Sequence, residues 1–97
     1  MKTKSILSTH SNRCFLCGSS RMLEKHHVFG GAYRSKSEKL GMTVHLCHNC
    51  HNEPPKGVHH NAEMNRQLKA RAQRKAMEYY GWSVEDFINM FGKNYLE

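Results

Sequence analysis

The sequence predicts a small α+β domain held together by bound metal, and three observations lead to this prediction. Residues 10–60 contain two Cys-x-x-C pairs and all eight histidines, short segments between the cysteine pairs have strand character, and residues 61–97 are rich in helix formers. Leu, Ile, Val and Phe make up only 17 of the 97 residues, which is below the level of about 20% at which highly charged chains tend to stay disordered. Because such a thin core needs cross-links or a structural metal, an ordinary hydrophobic-core enzyme is disfavoured.

The composition also bounds the location of the protein and its domain organisation. The longest apolar runs are three or four residues, which excludes a membrane span, and the N-terminus lacks the apolar segment of about 7–15 residues that a secretory signal needs. We therefore expect a cytoplasmic protein that does not bind membranes. Residues 1–10 are expected to be a flexible N-terminus, and residues 11–97 are expected to form one domain, with a metal-binding half (11–60) and a helical half (61–97).

The two cysteine pairs predict a structural zinc site. A reducing compartment keeps thiols free for metal, and two Cys-x-x-C turns can complete a tetrahedral four-cysteine site for Zn²⁺. Gly18 follows the first pair and suits the positive φ that commonly closes such a turn. The alternatives are a redox Cys-x-x-C pair or four buried thiols, which the doubled spacing disfavours. The predicted zinc ligands are Cys14, Cys17, Cys47 and Cys50.

Between the cysteine pairs, histidines accumulate on two expected strands. Residues 24–28 and 42–46 have strand character, with a turn at Gly30-Gly31. Because neighbours in a strand point to opposite faces, a hairpin or sharp twist is needed before His26 and His27 can serve one site. Further histidines follow the second cysteine pair, and this clustering predicts a second metal site. Three others are expected to be ordinary surface or core residues: His10, His45 and His48.

Capping signals place two helices in the second half of the chain. Asn61 can cap a helix over residues 62–80 that ends at Gly81, with Leu68, Ala72, Ala76 and the Tyr79-Tyr80 pair on the face expected to pack against the zinc half. Ser83 and Asp86 form a capping box for a shorter helix that ends at Gly92. The apolar face of this shorter helix is expected to contain Phe87, Ile88 and Phe91.

The formal net charge of +7 indicates a nucleic-acid partner. Residues 66–75 hold five basic residues and no acid, so one helix face could follow a phosphate backbone, although a merely solvated face is the alternative. No base-reading module is recognisable, so sequence specificity is expected to be weak or supplied by a partner. The candidate DNA-binding residues are Arg34, Lys36, Lys39, Arg66, Arg71, Arg74 and Lys75.

These residues together resemble a known family. A Cys-x-x-C pair, a His-His segment followed by glycine, and a Cys-x-x-C-His sequence resemble the zinc-stapled HNH endonucleases, which have the ββα-metal (His-Me finger) fold. The region from His26 to Leu96 is similar to small HNH-like proteins of phages and prophages. The similar segments are residues 26–34 (HHVFGGAYR), 41–47 (GMTVHLC), 57–59 (GVH) and 91–96 (FGKNYL).

The resemblance implies a DNA endonuclease in the cytoplasm of a bacterial host. The DNA could be branched or single-stranded, and a phage or host recombination or packaging protein is an implied partner. In the family pattern His26 binds the catalytic metal and His27 is the general base, with His51 and then His59, ahead of His60, as further ligands. The middle Asn that orients the base has no counterpart in residues 42–45. A backbone carbonyl, His45 or Asn52 could replace it, and the roles of His26 and His27 stay open to exchange.

The chemistry agrees with these residue types. An imidazole, whose ordinary pKa is about 6.5, can deprotonate a water nucleophile at cytoplasmic pH. A divalent ion held by imidazoles, Mg²⁺ or Mn²⁺ with Ni²⁺ or Zn²⁺ as alternatives, can stabilise the charge that develops on the phosphate. The alternative function is a zinc-binding module for nucleic acid or protein that has lost catalysis. Such a module needs only the four cysteines, whereas the second histidine cluster favours the enzyme.

Overall fold

A two-stranded antiparallel sheet and four helices form the domain, which confirms the expected α+β class. The computed structural model describes residues 5–7, 12–54 and 57–96. In chain order the elements are β1 (Leu23–His27), a 3₁₀ turn (Gly31–Tyr33), α1 (Arg34–Leu40), β2 (Thr43–Cys47), α2 (His48–His51), α3 (Ala62–Tyr80) and α4 (Val84–Phe91). No helix in the described ranges is long and apolar enough to cross a membrane.

The register of the sheet decides which side chains share a face. Glu24 pairs with Leu46 and His26 with Val44, so these side chains lie on one face because residues that pair directly across two strands point the same way. Lys25 and His27 lie on the opposite face. The two adjacent histidines are therefore separated by the pleat of a regular strand.

Helix α1 is an element that the sequence did not predict. Its Ser37 is fully buried, and the Ser37 hydroxyl donates to the Phe29 carbonyl (2.7 Å) and accepts from the Phe29 N–H (3.2 Å). These bonds attach the helix to the chain just after β1. Gly41 ends the helix with φ +75°, and the Gly30-Gly31 turn occurs where expected, with φ +57° at Gly31.

The two predicted helices of the second half are confirmed together with their caps. The Asn61 side chain accepts from the Met64 N–H (3.0 Å) at the start of α3, and Gly81 ends the helix with φ +69°. Ser83 and Asp86 form both bonds of the capping box that begins α4. Gly92 ends α4 with φ +82°.

The core joins the zinc half to the helical half. Leu68, Ala72 and Ala76 of α3 are buried in one cluster with three of the cysteines, as the apolar face of α3 predicted. Phe29 packs against Phe87 and Phe91 of α4, with ring centroids 5.5 and 4.5 Å away. Two residues of the expected apolar faces are instead exposed, Tyr79 by 62% and Ile88 by 36%, because each lies at the edge of the stripe that its helix buries.

The segment expected to be a flexible N-terminus is described only at residues 5–7. The Ile6 N–H donates to the Gly41 carbonyl (2.9 Å), and the Ser5 hydroxyl donates to the Thr43 carbonyl. These bonds attach the segment to the end of α1 and the start of β2. Residues 1–4 and 8–10 lie outside the described ranges, so the expected flexibility of these residues stays a prediction.

Candidate metal centres

The four cysteines come together as predicted. Their sulfur atoms all lie within 4.8 Å of one another, and the Sγ atoms of Cys17 and Cys47 are 3.5 Å apart. Gly18, with φ +79°, donates its N–H to the Cys14 carbonyl (2.9 Å) and closes the first turn, while Cys47 ends β2 and Cys50 lies in α2. Four soft sulfur donors in this arrangement are compatible with a structural zinc site.

Two of the cysteines have pKa values shifted in opposite directions. Burial alone would raise the pKa of Cys14, but hydrogen bonds from the backbone of Cys47, Cys17 and Leu16 lower this pKa to about 6. Burial and the neighbouring thiols raise the pKa of Cys50. Four thiolates packed together repel one another, so a divalent cation is the natural partner that allows all four to ionise.

Three histidines from separate parts of the chain form a second group that could hold a metal ion. His26 near the end of β1, His51 at the end of α2 and His59 in the following turn offer nitrogen atoms that all lie within 4.8 Å of one another. The Nε2 atom of His51 is 3.2 Å from His26 Nδ1 and 3.0 Å from His59 Nε2. These are the three histidines to which the family resemblance assigned metal binding.

Backbone hydrogen bonds hold the third histidine in this group. The Val58 N–H donates to the Cys50 carbonyl (2.8 Å), and the His59 N–H donates to the His51 carbonyl (3.3 Å). The turn before α3 therefore runs alongside α2. The short helix α2 consequently contributes Cys50 to one group and His51 to the other, so the two candidate centres share a rigid element.

The surroundings of His26 and His59 favour the neutral form of imidazole that binds metal. His26 is 6% exposed, and burial, followed by the charges of His51 and His59, lowers its pKa to about 3. Burial and His51 also lower the pKa of His59. The Nε2 atom of His26 is buried without a hydrogen-bond partner among the described residues. Neutral imidazoles with converging nitrogens fit a divalent ion such as Zn²⁺, Ni²⁺ or Mn²⁺.

Glu24 orients His51 of the histidine group, and nothing in the sequence indicated this contact. One carboxylate oxygen accepts from His51 Nδ1 (2.7 Å) and from the Asn52 side-chain amide (2.9 Å), and the other lies 3.3 Å from His48 Nδ1. Bonds from His51 and then from His48 hold the pKa of Glu24 below its ordinary value. With Nδ1–H of His51 donated to Glu24, the lone pair of His51 is on Nε2, which faces the group.

His27 lies outside this group and contacts a different carboxylate. Its Nε2 atom is 3.0 Å from Glu38 Oε1 of α1, and Lys25 donates to both Glu38 oxygens (2.7 and 2.8 Å). Bonds from Lys25 and then from His27 lower the pKa of Glu38 to about 2. The structure thus joins His26, and not His27, to His51 and His59.

The remaining histidines, and the two candidates for orienting the base, are placed as follows. His45 pairs with Lys25 in the sheet, while Asn52 contacts Glu24, and the carboxylate that contacts His27 is that of Glu38. His48 is 2.9 Å from Glu53 Oε1 in addition to its contact with Glu24. The side chain of His60 is exposed and outside the group, and His10 lies outside the described residues.

The candidate DNA-binding residues are mostly exposed. Along α3, Arg71, Arg74 and Lys75 are exposed, and they line an open pocket together with Leu68 and Ala72. The Arg71 guanidinium lies 4.6 Å from the centre of the Phe15 ring.

Two of the remaining cations have partners within the protein. Lys36 donates to the Met90 carbonyl (3.0 Å), and Arg66 forms an ion pair with Glu63 (3.0 Å). Arg34 and Lys39 on α1 are exposed. Exposed basic residues are therefore present on both α1 and α3.

The fold and the two groups define the class of this protein. It is a small α+β domain with a four-cysteine cluster compatible with structural zinc and a three-histidine group that could hold a second ion. No family model, curated protein or solved structure matches the chain. The function is therefore inferred from the geometry of these groups.

Proposed function

We propose that this protein is a metal-dependent DNA endonuclease of the HNH type, which hydrolyses phosphodiester bonds with low sequence specificity. The observation that carries the proposal is the convergence of His26, His51 and His59 beside the four-cysteine cluster. A zinc module that only binds a partner needs the cysteines alone. Three converging imidazoles, one of them oriented by a carboxylate, are typical of a site that binds a metal ion and leaves positions open for substrate.

The residues divide the work of hydrolysis. The ion, when bound, supplies positive charge against the phosphate as charge develops on its oxygens. His26, His51 and His59 hold that ion, and Glu24 keeps the lone pair of His51 directed at it. The arginines and lysine on the exposed face of α3 attract the phosphate backbone through their charge, and this attraction does not depend on the DNA sequence.

His27 is the proposed general base. Its Nε2–H faces Glu38, which places the lone pair on Nδ1, the atom that would take the proton from water. Glu38 is itself held by Lys25, so the base is oriented by a fixed carboxylate. The Glu38 carboxylate of α1 thereby orients the base, which is the role of the middle Asn in the family pattern.

Cleavage of supercoiled plasmid tests the proposal. Purified zinc-loaded protein is incubated with plasmid and Mg²⁺, Mn²⁺, Ni²⁺ or added Zn²⁺, and relaxed and linear products are counted over time. His51→Ala should abolish cleavage and weaken binding of the second ion while the zinc in the cysteine cluster stays bound. His60→Ala removes a neighbouring, exposed imidazole outside the group and should cut like the wild type.

The base is tested separately from the ligands. His27→Ala should slow cleavage by about 10²–10⁴-fold, the usual contribution of a positioned general base, with unchanged affinity for Mn²⁺. His26→Ala should lose Mn²⁺ binding and cleavage together. If His27→Ala loses the ion instead, the two roles are exchanged. If no ion supports cleavage by the wild type, the protein is a binding module.

A further inference from the structure

A second basic feature lies on the first half of α3, before Arg71 and Arg74 in the chain. An open pocket of about 380 Å³ is formed between the first half of α3 and the segment that follows α4. Three of its seven lining residues are cationic and none is acidic. The lining residues are Ala62, Asn65, Arg66, Lys69, Lys93, Asn94 and Tyr95.

A buried glutamine fixes the wall of this pocket. Gln73 of α3 is fully buried, yet its amide donates to Asn94 Oδ1 (2.9 Å) and its carbonyl accepts from the Tyr95 N–H (2.7 Å). Asn94 Oδ1 also accepts from the Leu96 N–H (3.1 Å). Because a buried polar side chain is costly unless both its groups are bonded, this clamp holds the segment after α4 against α3. Hydrogen bonds therefore hold the backbone on this side of the pocket in place.

Two like charges are held together in the pocket. The ammonium groups of Lys69 and Lys93 lie 5.4 and 5.6 Å from the centre of the same Tyr95 ring. Burial, followed by the charge of Lys93, lowers the pKa of Lys69. The nearest acid on α3, Glu63, forms its ion pair with Arg66. Two cations that repel each other, with no carboxylate among the lining residues, make a site that an anion stabilises.

The location of the pocket indicates which anion it binds. Ala62, which begins α3 and lines the pocket, lies only three residues after His59 of the histidine group. The pocket therefore adjoins the histidine group. Its volume also leaves room for more than a single carboxylate.

We propose that this pocket binds a phosphate of the nucleic-acid backbone, one that flanks the phosphate at the histidine group. Lys69 and Lys93 grip its oxygens, and the Gln73 clamp holds the segment carrying Lys93 in place. The assignment rests on the proposed function for the nature of the substrate, and it adds a defined contact point for the strand. Free inorganic phosphate offers the same chemistry, so the experiment separates the two sources.

The salt dependence of DNA binding tests the assignment. Affinity of the zinc-loaded protein for a fluorescein-labelled 20-base-pair duplex is measured by anisotropy over a range of salt concentrations, without added divalent ion. The double variant Lys69→Gln, Lys93→Gln should bind on the order of tenfold more weakly. The negative slope of log K against log salt should also become shallower by about 0.9, the contribution of one neutralised phosphate.

Two controls separate a defined contact from a loss of charge or of folding. Arg13→Gln, Arg21→Gln removes two exposed charges near the cysteine cluster and should leave the slope unchanged. Lys69→Arg, Lys93→Arg keeps both charges and should keep the slope. Zinc content and circular dichroism check that each variant is folded. If the Lys69→Gln, Lys93→Gln variant and the Arg13→Gln, Arg21→Gln control make the slope shallower by the same amount, the pocket makes no defined phosphate contact and the assignment is overturned.

Inorganic phosphate provides the second arm. Titration followed by amide NMR should shift the signals of residues 93–95 in the wild type and not in the Lys69→Gln, Lys93→Gln variant. If phosphate shifts these signals while the DNA slope is unaffected, the ligand is free phosphate and the nucleic-acid assignment is wrong. Neither arm depends on cleavage, so an inactive wild type with the expected slopes would contradict the proposed endonuclease and leave the pocket assignment standing.

Discussion

Removing the Glu24 carboxylate should weaken the second metal site without touching any metal ligand. Glu24 receives three contacts, and the shortest is from His51 Nδ1 at 2.7 Å, with the Asn52 amide at 2.9 Å on the same oxygen. Loss of a partner that orients a metal-bound histidine typically costs 10–100-fold in metal affinity. The two ends of that range correspond to two different substitutions.

Glu24→Gln should cost about tenfold, and Glu24→Ala about a hundredfold. The glutamine keeps its one accepting oxygen for His51 Nδ1–H and the Asn52 amide, but it loses the negative charge and turns its NH₂ group toward His48 Nδ1. The alanine leaves His51 without a partner that fixes its tautomer. In free energy the two losses are about 1.4 and about 2.7 kcal/mol.

Calorimetric titration of Mn²⁺ into zinc-loaded protein measures these losses. Glu53→Gln is the matched control, because this exposed carboxylate contacts His48 Nε2 (2.9 Å) but forms no hydrogen bond or ion pair with the His51 side chain among the described residues. The control should bind Mn²⁺ as the wild type does. An unchanged affinity in Glu24→Ala, with zinc retained, would refute the reasoning that Glu24 orients a metal-binding histidine.

Three further predictions concern stability. Cys50→Ser should unfold the domain, as should chelation of the zinc, because structural Zn²⁺ contributes about 10–16 kcal/mol of apparent binding free energy in zinc-finger peptides. Metal analysis should find about one tightly held zinc per wild-type chain, and a well-folded zinc-free protein would contradict this prediction. Gln73→Leu should lower the free energy of unfolding in urea by about 1–3 kcal/mol, because the Tyr95 N–H and the Asn94 side chain lose their partner. An unchanged free energy of unfolding would contradict the role of Gln73 in holding the segment after α4 against α3. Phe87→Ala, at a fully buried ring, should cost about 3–5 kcal/mol by the same measurement, whereas Ile88→Ala on the exposed edge of α4 should cost far less.

Local signals account for the parts of the fold that the sequence predicted. Asn61 with Gly81, and Ser83 with Asp86, act within one helical turn, so their effect does not depend on the rest of the chain. The spacing of the two Cys-x-x-C pairs is equally local. Helix α1 has no side-chain cap at its start, and the bond that attaches it comes from a buried serine eight residues after Phe29.

The carboxylates of the site could not be predicted for a related reason. Glu24 meets His51 across 27 residues of sequence, and Glu38 meets His27 across 11, and both contacts exist only after the strands and helices have packed. The family resemblance supplied the three histidines that converge. It offered His45, Asn52 or a backbone carbonyl for the orienting role at His27, and the structure shows Glu38 in contact with His27.

The most direct test of the proposed second metal site is an anomalous-scattering measurement on crystals of the zinc-loaded protein soaked in Mn²⁺. The histidine geometry predicts a manganese peak between His26, His51 and His59, in addition to the zinc peak among the four cysteines, and it predicts that His51→Ala loses only the manganese peak. A zinc peak alone in wild-type crystals, with the three imidazoles bonded only to one another, would contradict the second metal site and the endonuclease mechanism built on it.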